Sequence, residues 1–179
     1  MYFQHGYPPF FNDHYYGYRN DVGIQPKKAT AHIIGGPFAP RLKGTAVFST
    51  VLGGTQVDVE VQGLPPYKPG DQGAGQVGPH GFHIHENGIC AVDNPQKPFE
   101  SAGGHWNPTD QPHGNHAGDF PVLFSNDGYA RMTFFTNRFT VPQIIGKSVI
   151  IHEGPDDYQT QPAGASGRRL ACGVIQKVV

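Results

Sequence analysis

Ten histidines are spread unevenly along the 179 residues, and six of them fall into groups that could hold metal: His83 with His85, then His105, His113 and His116, then His152. His83 and His85 lie two apart in an apolar run, so on a strand both rings stand on one face while Phe82 and Ile84 occupy the other. Two imidazoles placed in this way can grip one ion. By the same parity His152 ends a run in which Val149 and Ile151 face the opposite side. All three rings are therefore expected to point away from an apolar core, outside the wall of a β structure. The middle group adds a carboxylate: three imidazoles and Asp119 form a set that closes a tetrahedral zinc site with no open position, which is the pattern of a structural site. A polar loop tip is the plain alternative for this set taken alone. His5, His14, His32 and His80 are isolated, or in the case of His80 merely adjacent to a group, and no role is assigned to them.

The elements that must position these groups are short. Val57, Val59 and Val61 alternate with Asp58 and Glu60, the mark of a half-buried strand. Similar runs cover 30–34, 45–52, 81–85, 129–136, 148–152 and 170–177, and no long helical pattern competes. With 25 Gly, 17 Pro and only 15% charged residues, the chain reads as one all-β domain of seven or eight short strands. Residues 87–121 and 153–169 break the rhythm and are rich in Gly, Pro, Asp, Asn and Gln. Loops this long are usually functional, and the first carries three histidines of the metal groups.

Residues 1–26 are rich in Tyr, Phe, Pro, Asn and Gly and show no period, so they read as a flexible extension ahead of a domain at 27–179. Thirteen basic against fourteen acidic residues leave a net charge of −1, which excludes the basic footprint of a nucleic-acid binder. No apolar run is long enough for a membrane span, and no signal peptide is visible at the start. Cys90 and Cys172 suffice for one bridge or stand as a free pair.

Five segments in order, GFHIHENGIC, SAGGHWNP, HAGDFPVL, SVIIHEGPDD and GRRLACGVI, closely resemble the signature segments of bacterial-type copper/zinc superoxide dismutases over roughly residues 28–179. The resemblance implies an eight-stranded Greek-key β-barrel, an immunoglobulin-like sandwich with two long functional loops. It implies copper on His83, His85, His105 and His152, and zinc on His105, His113, His116 and Asp119, with His105 bridging the two. Copper would cycle between Cu(II) and Cu(I), taking an electron from one superoxide to give oxygen and returning it to a second, with two protons, to give hydrogen peroxide. The His105 bridge would open and protonate on reduction, and zinc would be structural. An all-imidazole set suits copper, and zinc cannot change oxidation state.

Asp156 matches the carboxylate that orients one copper and one zinc histidine, with Asp157 as the alternative. Arg169 matches the arginine that draws the anion to the metal, with Arg168 available in a shifted register. Cys90 and Cys172 match the family's disulfide. One departure stands out. His113 and His116 are three apart, where the family usually has several more residues, so His113 could face either the ion or solvent. The aromatic tail suggests a second reading, a dismutase-like metal-binding or structural coat protein with little activity, and a third is a zinc-only module. A homodimer and assembly through the tail stay open as partner arrangements, as does an extracellular or cell- or spore-surface location.

Overall fold

The computed structural model describes residues 27–71 and 75–178. The tail and any assembly through it lie outside these residues. The strands are β1 (Lys28–Gly35), β2 (Lys43–Val51), β3 (Gly54–Gln62), β4 (Phe82–His85), β5 (Tyr129–Thr136), β6 (Ser148–His152) and β7 (Arg169–Lys177). One short helix, α1 (Val141–Ile144), is capped by reciprocal bonding between Thr140 and Gln143.

All strands pair antiparallel in one sheet of order β4-β6-β7-β1-β2-β3-β5. The alternation read from the sequence sets its inner face: Val57, Val59 and Val61 are buried while Glu60 is exposed, and Ala29, Ala31, Ile33, Ala46 and Phe48 join them from β1 and β2. Phe82 and Ile84 of β4 share one core with Ala130 of β5, although these strands are the two edges of the sheet. The sheet is therefore curled on itself. Phe120 closes the seam, its ring 5.2 Å from that of Phe82 and 4.9 Å from that of Phe134.

Among the described residues seven strands form ladders. The place of an eighth, between the two edges, is held by residues 119–126, which meet β4 through a single bridge at His83↔Asp119, meet the residue two before it at His80↔Leu123, and turn into β5 at Asn126↔Tyr129. Gly118 and Gly128 stand close to its two ends, and Pro121 within it has no N–H to give a ladder. β3 and β4 follow one another in the chain but are not neighbours in the sheet: β5 and residues 119–126 stand between them in the closed ring, the non-sequential order of a Greek key. Both expected long loops are present, before β5 and between β6 and β7.

Candidate metal centre

Strand parity places the first histidines as expected. Phe82, Ile84, Val149 and Ile151 lie in the barrel core, and His83, His85 and His152 stand on the outer face. That face is not open to water, because the two loops fold over it and leave the three histidines 0–5% exposed. Ile150, on the same outer face of β6, packs with Phe99, Ala102 and Cys172 beneath the first loop. A disulfide joins Cys90 to Cys172 and ties the start of that loop to β7.

The first loop reaches the centre by lying along the free side of β4. Trp106 N–H donates to Ile84 O (2.8 Å), Ile84 N–H to Gly118 O (2.9 Å) and Glu86 N–H to Gly104 O (3.1 Å). These bonds set His105 opposite His85 and Asp119 opposite His83. Two groups result, each with ligand atoms within 4.8 Å of one another: His83, His85, His105 and His152; and His105, His113, His116 and Asp119. All seven residues are buried, and His105 belongs to both groups. His113 lies in the second group with its side chain fully buried, so despite the short spacing its ring turns toward His105, His116 and Asp119 and not toward solvent.

His83, His85, His113 and His152 are each held through one ring nitrogen on a protein oxygen. His83 Nε2 and His113 Nε2 each donate to Asp156, at 2.7 and 2.8 Å, so one carboxylate grips a ring from each group. His85 Nδ1 donates to Gly103 O (3.0 Å), and His152 Nδ1 to Gly167 O (3.3 Å). The opposite nitrogens of His85 and His152 are 3.4 Å apart, with no carbonyl or carboxylate between them. His83 Nδ1, His105 Nε2, His113 Nδ1 and His116 Nδ1 are buried without a hydrogen-bond partner. A buried nitrogen in that condition is costly unless it meets a cation, so these atoms fit metal ions. Asp119 gathers the loop group: Oδ1 lies 2.9 Å from His105 Nδ1 and 3.3 Å from His116 Nδ1, while Oδ2 accepts from the Gly114 and His116 N–H groups.

Burial also sets the charge state. It pushes His83 and His85 well below the usual imidazole range, helped by neighbouring histidines, and takes His152 down to about 3. The rings are thus neutral near pH 7 and offer lone pairs. Burial works to raise Asp119, but the His105 ring and the loop N–H groups outweigh it and hold the carboxyl low and ionised.

Geometry sets apart the members of the two pairs that the sequence left open. Asp156 is 5% exposed and grips both rings, whereas Asp157 is turned outward and caps Thr160. Gly164 makes room for Asp156: its φ is +67°, and a Cβ there would sit 1.9 Å from Asp156 Oδ1. Arg168 is exposed, paired with Glu153 and stacked on Phe38. Arg169 is half-buried and donates to Phe99 O and, at 2.7 Å, to Gly103 O. A shift of register between Ile151 and His152 brings Arg169 directly across from His152. The arginine then lines a cleft of about 750 Å³ with His85, His105 and His152, its positive charge adding to the low pKa of His85 and His152.

His80, given no role above, is fully buried, and its Nδ1 donates to the carbonyl of His152 at 2.9 Å. Its place immediately before the first group was the only signal. The acceptors Gly103 O and Gly167 O are backbone atoms and left no side-chain trace.

A curled antiparallel β-barrel bearing two buried imidazole-rich groups that share one histidine defines a dinuclear metalloprotein. Residues 42–175 match the family described as copper/zinc superoxide dismutase (SODC). A Cu-Zn superoxide dismutase of Deinococcus radiodurans is 42% identical over 155 residues, covering 77% of this chain and 79% of that protein. One from Aquifex aeolicus is 35% identical over 148 residues, covering 74% and 78%. One from Photobacterium leiognathi is 40% identical over 112 residues, covering 55% and 65%. The chain belongs to the copper/zinc superoxide dismutase family.

Proposed function

We propose that the protein disproportionates superoxide, with copper held by His83, His85, His105 and His152 and zinc by His105, His113, His116 and Asp119. One observation carries this reading: each group presents buried ring nitrogens that have no hydrogen-bond partner, and the two groups share His105. Copper, when bound, would supply one-electron redox chemistry, and zinc would lend fixed charge and rigidity to the loop.

The chain's own residues supply the rest. Arg169, fixed on two carbonyls beside the cleft, attracts the anion and orients it toward the histidines. His105 Nε2 is the atom suited to hold a proton for the peroxide product. Asp156 and the Gly103 and Gly167 carbonyls keep the rings in one tautomer and orientation between turnovers, and His80 holds the backbone carbonyl of His152. Near-complete burial of the ligands confines access to the cleft.

Among the described residues no helix is long and apolar enough to cross a membrane. The Cys90–Cys172 bridge supports an oxidising location such as the cell exterior or surface. The coat reading is not favoured: both ligand groups and the arginine are complete, and its only support is the tail.

The test is superoxide decay catalysed by the purified full chain after loading with copper and zinc, with metal content determined on the same sample. Rapid copper-dependent decay at one copper and one zinc per chain is expected. Slow decay with copper bound would return the protein to a binding or coat role, and failure to take up copper would leave a zinc module.

A further inference from the structure

The loop ligands His113, His116 and Asp119 follow one another at three-residue intervals. Few residues are then left to hold the run in shape. At Gly114 the backbone turns with φ +89°, and a Cβ there would lie 2.4 Å from the carbonyl oxygen of Tyr158. The second long loop is thus in direct contact with the ligand run.

Two side chains of that second loop grip the run at its two ends. The Gln161 amide takes His113 by both backbone groups: Oε1 accepts from His113 N–H at 2.8 Å, and Nε2 donates to His113 O at 3.4 Å. The Tyr158 hydroxyl takes the chain just past Asp119, accepting from Val122 N–H at 3.0 Å and donating to Phe120 O at 3.2 Å. Tyr158 N–H also donates to Asp156 Oδ1 at 2.7 Å, the oxygen that receives His113 Nε2. The Tyr158 side chain is as exposed as that of Tyr129, yet the partial burial of its phenol raises its pKa above the usual value, so it keeps its proton for the second bond.

We propose that Tyr158 and Gln161 are positioning residues for zinc, a pair of clamps by which the second loop pins the two ends of a short ligand run whose own hydrogen bonds only join Gly114 and His116 to Asp119. Neither touches a ligand atom; each fixes backbone next to one. A run closed by its own internal contacts would have to lose its freedom on binding the ion, whereas a run already pinned at both ends is ready for it. Copper differs, since β4 and β6 hold its ring-bearing backbone through ladder hydrogen bonds.

The inference rests on His113, His116 and Asp119 being the zinc ligands. It is tested by titrating zinc alone into the metal-free full chain against a chromogenic chelator, for the wild type, Tyr158→Phe, Gln161→Ala and the double variant. Tyr129→Phe, an exposed edge-strand position, serves as the matched control. Each clamp variant should raise the zinc dissociation constant about tenfold, in the lower part of the range for partners that orient metal ligands. The double variant should approach about a hundredfold, because the clamps act at opposite ends of the run. Copper affinity and the melting temperature of the metal-free protein should follow the control.

Unchanged zinc affinity in both single variants would overturn the proposal. So would parallel losses of copper affinity, zinc affinity and metal-free melting temperature, which would mark the pair as general fold support. A wild type that binds no zinc would instead remove the ligand assignment on which the proposal stands.

Discussion

The two halves of the metal centre are built by different means. His83, His85 and His152 sit on β4 and β6, where ladder pairs such as His83↔Ile150 and His85↔Ser148 fix the backbone before any side chain is considered. His113, His116 and Asp119 sit on a loop, and their geometry depends on contacts made one at a time: Gly114 and His116 N–H on Asp119 Oδ2, Arg138 on His116 O at 3.0 Å, and Asp156 on His113. The strand half has a geometry that the whole barrel must deform to change. The loop half can be retuned by single substitutions, which suits a closed structural site beside a redox site that has to return to one shape after every turnover. His105 belongs to both, carried by the loop but bridged to His85 as if it were strand.

The change with the largest expected effect removes the shared residue. His105→Ala takes a ligand from each half, so metal analysis after dialysis should find both metals below one per chain, with superoxide turnover near background. Retention of both metals would break the bridge assignment. Next comes Asp156→Ala, which frees His83 from the strand half and His113 from the loop half at once. Zinc affinity should fall by about 10- to 100-fold, the usual cost of losing a partner that orients a metal ligand. Copper affinity should fall less, because β4 still directs His83. Equal losses at both metals would show that the strand gives no protection, and the contrast between the halves would fail.

How far the sequence discloses this centre follows the same division. Strand positions were legible because a period of two commits every side chain to a face: Val57, Val59 and Val61 fall inside, and His83 and His85 fall outside. Loop ligands were legible as residue types, but the direction of His113 was not, since no period links a loop residue to a face. The choice between Arg168 and Arg169 was hidden for a related reason. It depends on the register shift at Ile151/His152, which reverses the parity that counting along β7 would give. His80 and the Gly103 and Gly167 carbonyls escaped because their work is done to or by backbone atoms.

Arg169 tests the boundary between guiding the substrate and holding the site. Arg169→Ala should slow superoxide turnover about tenfold, the lower end of what electrostatic steering supplies, and should flatten its dependence on ionic strength. Copper content should be spared, although Gly103 O would lose one of its two donors, Arg169, and keep the other, His85 Nδ1. A fall in copper content with no change in salt dependence would reassign Arg169 from the substrate to the support of His85.

The smallest expected effect is one of pH on the metal-free protein, and it belongs to the strand half. Burial holds His83, His85 and His152 below the ordinary imidazole value, with His152 at about 3. As pH falls below about 6.5 the unfolded chain takes up protons that these rings in the folded barrel refuse. The unfolded state then binds more protons than the folded one, so folding stability drops with falling pH, by up to about 1.4 kcal/mol per pH unit for each such ring. The loss continues until the folded rings themselves titrate, which for His152 is near 3. Thermal melting of the metal-free chain between pH 7 and pH 4 should therefore show a steady decline that is reduced by His152→Gln. A metal-free melting temperature that stays level over this range would mean that the barrel opens and hydrates these rings once the ions are gone, and that the strand half owes its fixed geometry to copper.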